Sequence, residues 1–152
     1  MPEMSKRETV LVSACLLGEN CKYNGGNNYN EVLDEFLKNK KVIPVCPERD
    51  GGLPAPRASV ELIDNVPYDK DGNCYEEAFQ KGIAMALKAA TAEEIDYAVL
   101  QSRSPTCGVR RVYDGTFSGK LTEGNGRLVQ ALKEQGIKVY EVTEFVAGIE
   151  NS

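Results

Sequence analysis

Five cysteines, at positions 15, 21, 46, 74 and 107, are spread along a chain of 152 residues that contains no histidine. Thiolates are the soft ligands of zinc and of iron–sulfur clusters, so any metal site here rests on sulfur, with carboxylates in support. With no imidazole, proton transfer near neutral pH falls to Asp, Glu, Lys, Tyr, Cys or water. Three of the thiols share one context. Val10-Leu11-Val12-Ser13-Ala14 leads into Cys15, Val42-Ile43-Pro44-Val45 leads into Cys46, and Tyr97-Ala98-Val99-Leu100 leads to Ser104-Pro105-Thr106-Cys107-Gly108. A lone cysteine after a strand is often just a small buried hydrophobe. Three at strand ends are harder to explain that way. Glu48, two residues past Cys46, is the best-placed base.

The remaining candidates divide less cleanly. Cys21 follows Cys15 on a Gly/Asn-rich loop, whose reach permits either a fourth metal ligand or a thiol in the second shell. Cys74 follows the turn Asp71-Gly72-Asn73 before a helix and reads as a partly exposed helix-start residue. Ser104 precedes Pro105 and on local chemistry reads as a turn initiator. Gly124-Asn125-Gly126 ahead of a helix suits either an anion cradle or close helix packing.

The elements that position these residues follow from periodicity. Strands are expected near Thr9–Ala14, Val42–Val45, Tyr97–Gln101 and Lys138–Val142, the first of them apolar on both faces as a buried parallel strand requires. Val60–Ile63 suits a short edge strand, and Tyr68–Asn73 a turn. Helices are expected near Glu31–Asn39, capped by Asn30, from Tyr75 to Ala90, and from Gly124 to Gln135 with Gly136 at its C′ position. A terminal helix capped by Thr143 follows. Cys46 to Arg57 carries too many Pro and Gly residues for regular structure, and Val112–Lys120 reads as a hairpin. Residues 1–7 are polar and read as frayed. The alternation predicts a single Rossmann-like, doubly wound α/β domain with a mainly parallel sheet, spanning 1–152. In such a sheet the carboxyl ends of the strands share one edge, where ligands bind, and Cys15, Cys46 and Cys107 would meet there.

Composition narrows the class. A net charge of −5 argues against an extended nucleic-acid surface. No apolar run approaches the ~20 residues of a membrane span, and the amino terminus lacks a secretory h-region, so a cytoplasmic protein without membrane contact is expected. In that compartment cysteines serve metal binding or catalysis more often than disulfides.

Taken in order, Val12-Ser13-Ala14-Cys15-Leu16-Leu17-Gly18, Cys21-Lys22-Tyr23-Asn24-Gly25, Val45-Cys46-Pro47-Glu48, Gly51-Gly52-Leu53-Pro54 and Pro56-Arg57 resemble the motifs of the thiouracil desulfidase family. Ser104-Pro105-Thr106-Cys107-Gly108 and Tyr113-Asp114-Gly115-Thr116-Phe117-Ser118-Gly119 continue the resemblance over nearly the whole chain. It implies a [4Fe-4S] cluster held by Cys15, Cys46 and Cys107, with one iron left open to substrate sulfur, and a catalytic Glu48 and Ser104; Cys21 is then expected near the cluster but not bonded to it, since a fourth ligand would close that iron. It also implies a small thiolated base such as 2-thiouracil as substrate, desulfurated without net redox change. A cluster so exposed would be lost in aerobically prepared protein. The chain departs from the family pattern in Lys22-Tyr23-Asn24 where Arg-Tyr-Asp is usual, in Gln101 where Lys is common, and in Thr106 where Ser is usual. Two competing readings use the same thiols: a zinc site adding Cys21, and a non-enzymatic cluster or sulfur carrier. Zinc sites usually show tight Cys-x₂₋₄-Cys pairs, which this chain lacks.

Overall fold

The architecture comes from a computed structural model, which describes residues 8–54 and 57–151. The polar residues 1–7, and Pro56 of the Pro56-Arg57 motif, lie outside them. Strand β1 (Thr9–Ser13) runs into a 3₁₀ turn (Ala14–Leu17) closed by Gly18. Helix α1 (Glu31–Phe36) is capped as its sequence predicts, the Asn30 side chain accepting the Leu33 N–H at 3.0 Å, and it tightens into a 3₁₀ turn over Leu37–Asn39. Strand β2 (Lys41–Val45) follows.

The next stretch departs from expectation. Pro47–Asp50 forms a short helix, α2, where the Pro/Gly content predicted irregular loop. Proline at the first helical position loses no hydrogen bond and has its φ already set, so it starts a turn as readily as it blocks one. Strands β3 (Val60–Ile63) and β4 (Val66–Asp69) form an antiparallel ribbon away from the main sheet, with Ile63 facing Val66. Val60–Ile63 is the expected short strand, and of the turn predicted at Tyr68–Asn73 the first two residues belong to β4 while the turn itself follows them, closed by the Gly72 N–H on the Asp69 carbonyl at 3.1 Å. The ribbon reverses at the two-residue connection Asp64-Asn65, whose φ values of 51° and 64° give the left-handed hairpin turn that these two residue types tolerate.

Helix α3 (Glu76–Ala92) leads to β5 (Tyr97–Leu100), and β6 (Arg111–Tyr113) pairs with β7 (Leu121–Glu123) as the predicted hairpin. Helix α4 (Arg127–Glu134) ends toward Gly136, whose φ of 75° suits its place, and β8 (Val139–Glu141) follows. The last helix, α5 (Val142–Glu150), is capped by Glu141 rather than Thr143. The longer side chain accepts from the N–H groups of both Thr143 and Glu144, at 2.9 and 3.2 Å.

The main sheet has the order β2-β1-β5-β8, all parallel. One face, with Leu11, Val45, Ala98 and Leu100, packs on α3 and α4 through Phe79, Ile83, Leu128 and Leu132. The other, with Val10, Val12 and Val99, packs on α1 and α5 through Leu33, Val142 and Val146. Helices on both faces are what buried, non-alternating strands require. The chain leaves β1 toward β2, then crosses to β5 on the other side, so the sheet's direction of growth reverses beside β1. A crevice opens at the carboxyl ends of strands where this happens. No helix among the described residues is long and apolar enough to cross a membrane.

Candidate functional site

Cys15 sits in the 3₁₀ turn directly after β1, Cys46 directly after β2, and Cys107 in the loop after β5. All three line one cleft of about 550 Å³ at the carboxyl edge of the sheet, together with Cys21, Glu48 and Ser104. Cys74 is exposed and does not line the cleft. All five cysteines are free thiols.

Local structure fixes each thiol. The Cys15 carbonyl accepts the Asn28 N–H at 2.9 Å, and the Asn28 amide donates to the Cys15 sulfur at 3.5 Å. The Cys46 N–H donates to Asp50 at 3.2 Å, and the Asp50 N–H returns to the Cys46 carbonyl at 2.8 Å, locking Cys46 at the start of α2. The Ser13 hydroxyl accepts the Gln101 N–H at 2.9 Å and bonds the Cys107 sulfur, tying the ends of β1 and β5 together across the crevice. Cys107 is also held by helix α4. The N–H groups of Arg127 and Leu128 donate to the carbonyls of Pro105 and Thr106 at 2.8 and 2.9 Å, and that of Gly126 to Gly108 at 2.8 Å. Donors that a helix start leaves without intrahelical partners thus hold the cysteine loop instead. Of the two readings of Gly124-Asn125-Gly126, packing is the one realised. A Cβ on Gly126 would stand 2.5 Å from the Thr106 carbonyl group.

The thiols sense one another. Cys21 donates toward Cys15, which lowers the Cys15 pKa first of all, with Asn28 assisting against burial. Holding that proton raises Cys21. Cys46, bonded to Cys21 and half-buried, is pushed far above the ordinary thiol range. Burial pushes Cys107 up to about 11, in spite of help from Ser13 and Thr106. Cys21 therefore stands between Cys15 and Cys46, beside the trio rather than apart from it. Among the described residues no three Cys, Asp or Glu side chains converge tightly enough to hold a single metal ion.

Glu48 projects from α2 into a network that the sequence did not reveal. One carboxylate oxygen pairs with the Arg57 guanidinium, and both side chains are nearly buried, 13% and 7% exposed. The other accepts from the Thr106 hydroxyl at 3.1 Å. Burial lowers the Arg57 pKa from its usual value, and its Nε is buried without a partner. Ser104 does initiate a turn, accepting the N–H groups of Thr106 and Cys107 at 3.1 Å each. It also faces the cleft. The hairpin tip closes one side through Tyr113 and Phe117, held down by buried Glu61, which accepts the N–H groups of Gly115 and Phe117 at 2.9 and 3.1 Å. Arg57, Thr106, Asn28 and Glu61 are the site residues that sequence reasoning passed over. A buried Glu48 in a chain without histidine called for a cation, but pattern alone could not choose Arg57.

Comparison with known proteins gives one consistent answer. The family model of 2-thiouracil desulfurase matches residues 10–144. The uncharacterized protein YbbK of Bacillus subtilis (strain 168) is 33% identical over 146 residues, covering 90% of this chain and 97% of that protein. Among solved structures, the [4Fe-4S]-dependent thiouracil desulfidase TudS superposes with a TM-score of 0.85 at 31% identity, over 96% of this chain and 100% of that one.

Proposed function

The chain belongs to the 2-thiouracil desulfurase family, and from that premise we propose that it removes sulfur from a thioamide such as 2-thiouracil, using a [4Fe-4S] cluster held by Cys15, Cys46 and Cys107. The observation that carries the reading is the convergence of these three thiols, from the ends of three parallel strands, on a cleft that also holds Glu48. The donor set fits the group: free sulfur ligands are what iron–sulfur clusters take, and no disulfide competes for them. Cys21 is a second-shell thiol, since a fourth protein ligand would close the position that substrate sulfur needs. The domain, residues 1–152, is Rossmann-like, a reading supported by the strand order and by helices on both faces of the sheet.

Exchange of C=S for C=O, with water entering and hydrogen sulfide leaving, changes no oxidation state, so no electron donor is required. The difficulty is that sulfide leaves a tetrahedral adduct poorly. When bound, the cluster supplies a soft Lewis-acid position for that sulfur. Glu48 takes a proton from the attacking water, and Arg57 holds the carboxylate in place. Ser104 helps deliver a proton back to the substrate. Tyr113 and Phe117 cover the cleft and limit its water.

The test is anaerobic purification, visible absorption and a sulfide-release assay on 2-thiouracil. A broad band toward the blue end, with sulfide and uracil formed in equal amounts, is the expected outcome. A colourless, zinc-loaded protein would sink the cluster, and a loaded protein releasing no sulfide would leave a carrier.

A further inference from the structure

The Gly/Asn-rich loop after β1 contains a tight turn, in which the Gly25 N–H donates to the Lys22 carbonyl at 2.9 Å and the Lys22 N–H to that of Gly26 at 3.2 Å. Tyr23 stands in this turn. Of the six large apolar or aromatic side chains left exposed among the described residues, it alone lines the cleft. It is 45% exposed, and its hydroxyl has no hydrogen-bond partner among those residues. Tyr29, on the same loop, differs on both counts: its hydroxyl donates to Asp34 at 2.8 Å, and it lies outside the cleft. A second aromatic reaches the cleft from the hairpin tip. Phe117 has a φ of 58°, in the left-handed region that a bulky side chain rarely enters. Such a conformation lasts only where its surroundings impose it, and functional sites are where it collects. Here the buried Glu61 carboxylate imposes it, accepting the Phe117 N–H at 3.1 Å.

Both aromatics hang from one short segment. The Arg57 N–H donates to the Tyr23 carbonyl, and Glu61 holds Phe117. Four residues separate those two anchors along the chain, a span of at most ~14 Å even when fully extended. Arg57, Ser59, Val60 and Glu61 all line the cleft. We infer that Tyr23 and Phe117 recognise the substrate by its ring, an inference that rests on the desulfidase reading and names what the site selects: heteroaromatic thioamides over open-chain ones. A heteroaromatic ring has a π face that stacks on an aromatic side chain whatever its substituents. An open-chain thioamide offers the sulfur without that face. Stacking is made equally in the ground state and the transition state, so it sets KM and leaves the chemical step to other groups. The product keeps the same ring, so the site also holds uracil.

Tyr23→Leu and Tyr23→Phe separate the ring from the rest of the side chain. At matched cluster absorption and iron content, Tyr23→Leu should raise KM for 2-thiouracil roughly tenfold, within the range for losing one stacked aromatic, with kcat little changed. Tyr23→Phe should keep the wild-type KM, because the hydroxyl has no partner to lose. Uracil carries the ring without the sulfur, and calorimetric titration of uracil onto cluster-loaded protein reads ring recognition without turnover. Its Kd should rise roughly tenfold in Tyr23→Leu and also in Phe117→Asn, where asparagine tolerates the left-handed backbone and so keeps the hairpin's shape. In Tyr23→Phe it should hold. A Kd unmoved in Tyr23→Leu or in Phe117→Asn, equal losses in the Leu and Phe variants of Tyr23, or a tenfold fall in kcat in place of the rise in KM would each overturn the inference while leaving the desulfidase standing. Wild-type protein loaded with cluster yet releasing no sulfide from 2-thiouracil would instead remove the parent reading, and ring recognition with it.

Discussion

In the proposed reaction Glu48 takes the part that histidine takes in many hydrolytic sites, and its surroundings suit the task. Arg57 pairs with one carboxylate oxygen, while Thr106 donates to the second. Each oxygen keeps a lone pair for a water. Glu48→Gln preserves volume but turns one end into a donor facing either a guanidinium or a hydroxyl, and it removes the base. Turnover on 2-thiouracil should fall by roughly 10²–10⁴-fold. Cluster absorption should persist, because no sulfur ligand is touched. Sulfide release at matched iron content decides it: near-normal release would pass the role to Ser104 or Asp50. At this scale the sequence was informative about residue types. Cys15, Cys46 and Cys107 were legible because each ends a strand-like run, and Glu48 because the chain offers no imidazole. Arg57 and Thr106 were not legible as partners, since their meeting depends on how α2 and the loop after β5 are seated.

The element that does the seating is α2. It is a single turn, too short to be stable alone, and it is held by α3. At Gly82 an added Cβ would lie 1.7 Å from the Pro47 carbonyl oxygen, and at Gly51 it would lie 2.0 Å from that of Ala78. The two backbones touch, and only glycine allows it. The close neighbour of Gly82 is thus another helix. In an exposed helix Gly→Ala would stabilise by ~0.8–1 kcal/mol through propensity. Gly82→Ala should reverse that sign here. Overpacking costs about 1–3 kcal/mol, which for a domain of this size lowers Tm by roughly 2–12 °C. Because α2 starts at Cys46 and carries Glu48, iron content and kcat should fall together. A melt showing a higher Tm for Gly82→Ala would mean that α2 does not rest there. Strand and helix order was legible because burial on both faces leaves a strong hydrophobic signal. The β3–β4 ribbon and α2 were not, because each depends on a turn geometry that its Pro, Asp and Asn residues permit without demanding.

At the scale of the molecule, the fold and the site are separable. The sheet is clamped between two apolar layers whose central side chains, Val10, Leu11, Val12, Phe79, Val99, Leu100 and Leu128 among them, are wholly buried without help from metal or disulfide. A chain of 152 residues buries roughly 68–70% of its unfolded surface, enough to fold on its own core. The thiols lie at one edge of that core, not through it. Iron removal with a chelator, under reducing and anaerobic conditions, should therefore leave the far-UV circular dichroism and a single cooperative melt in place. Loss of a ligand that binds only the folded state lowers stability by mass action, about 2.7 kcal/mol at a hundredfold excess over Kd. That corresponds to a Tm lower by roughly 5–11 °C. Reconstitution with iron and sulfide should recover both the absorption and the Tm. A collapse of the dichroism on chelation would make the metal a structural element, as in small zinc domains that are unfolded without it. Cys21 would then have to count as a fourth ligand, the site would be closed to substrate sulfur, and the catalytic reading would fail at its root. The separation of core from cleft argues for the other outcome: a preformed α/β scaffold that presents three thiols and a clamped carboxylate to whatever sulfur compound enters.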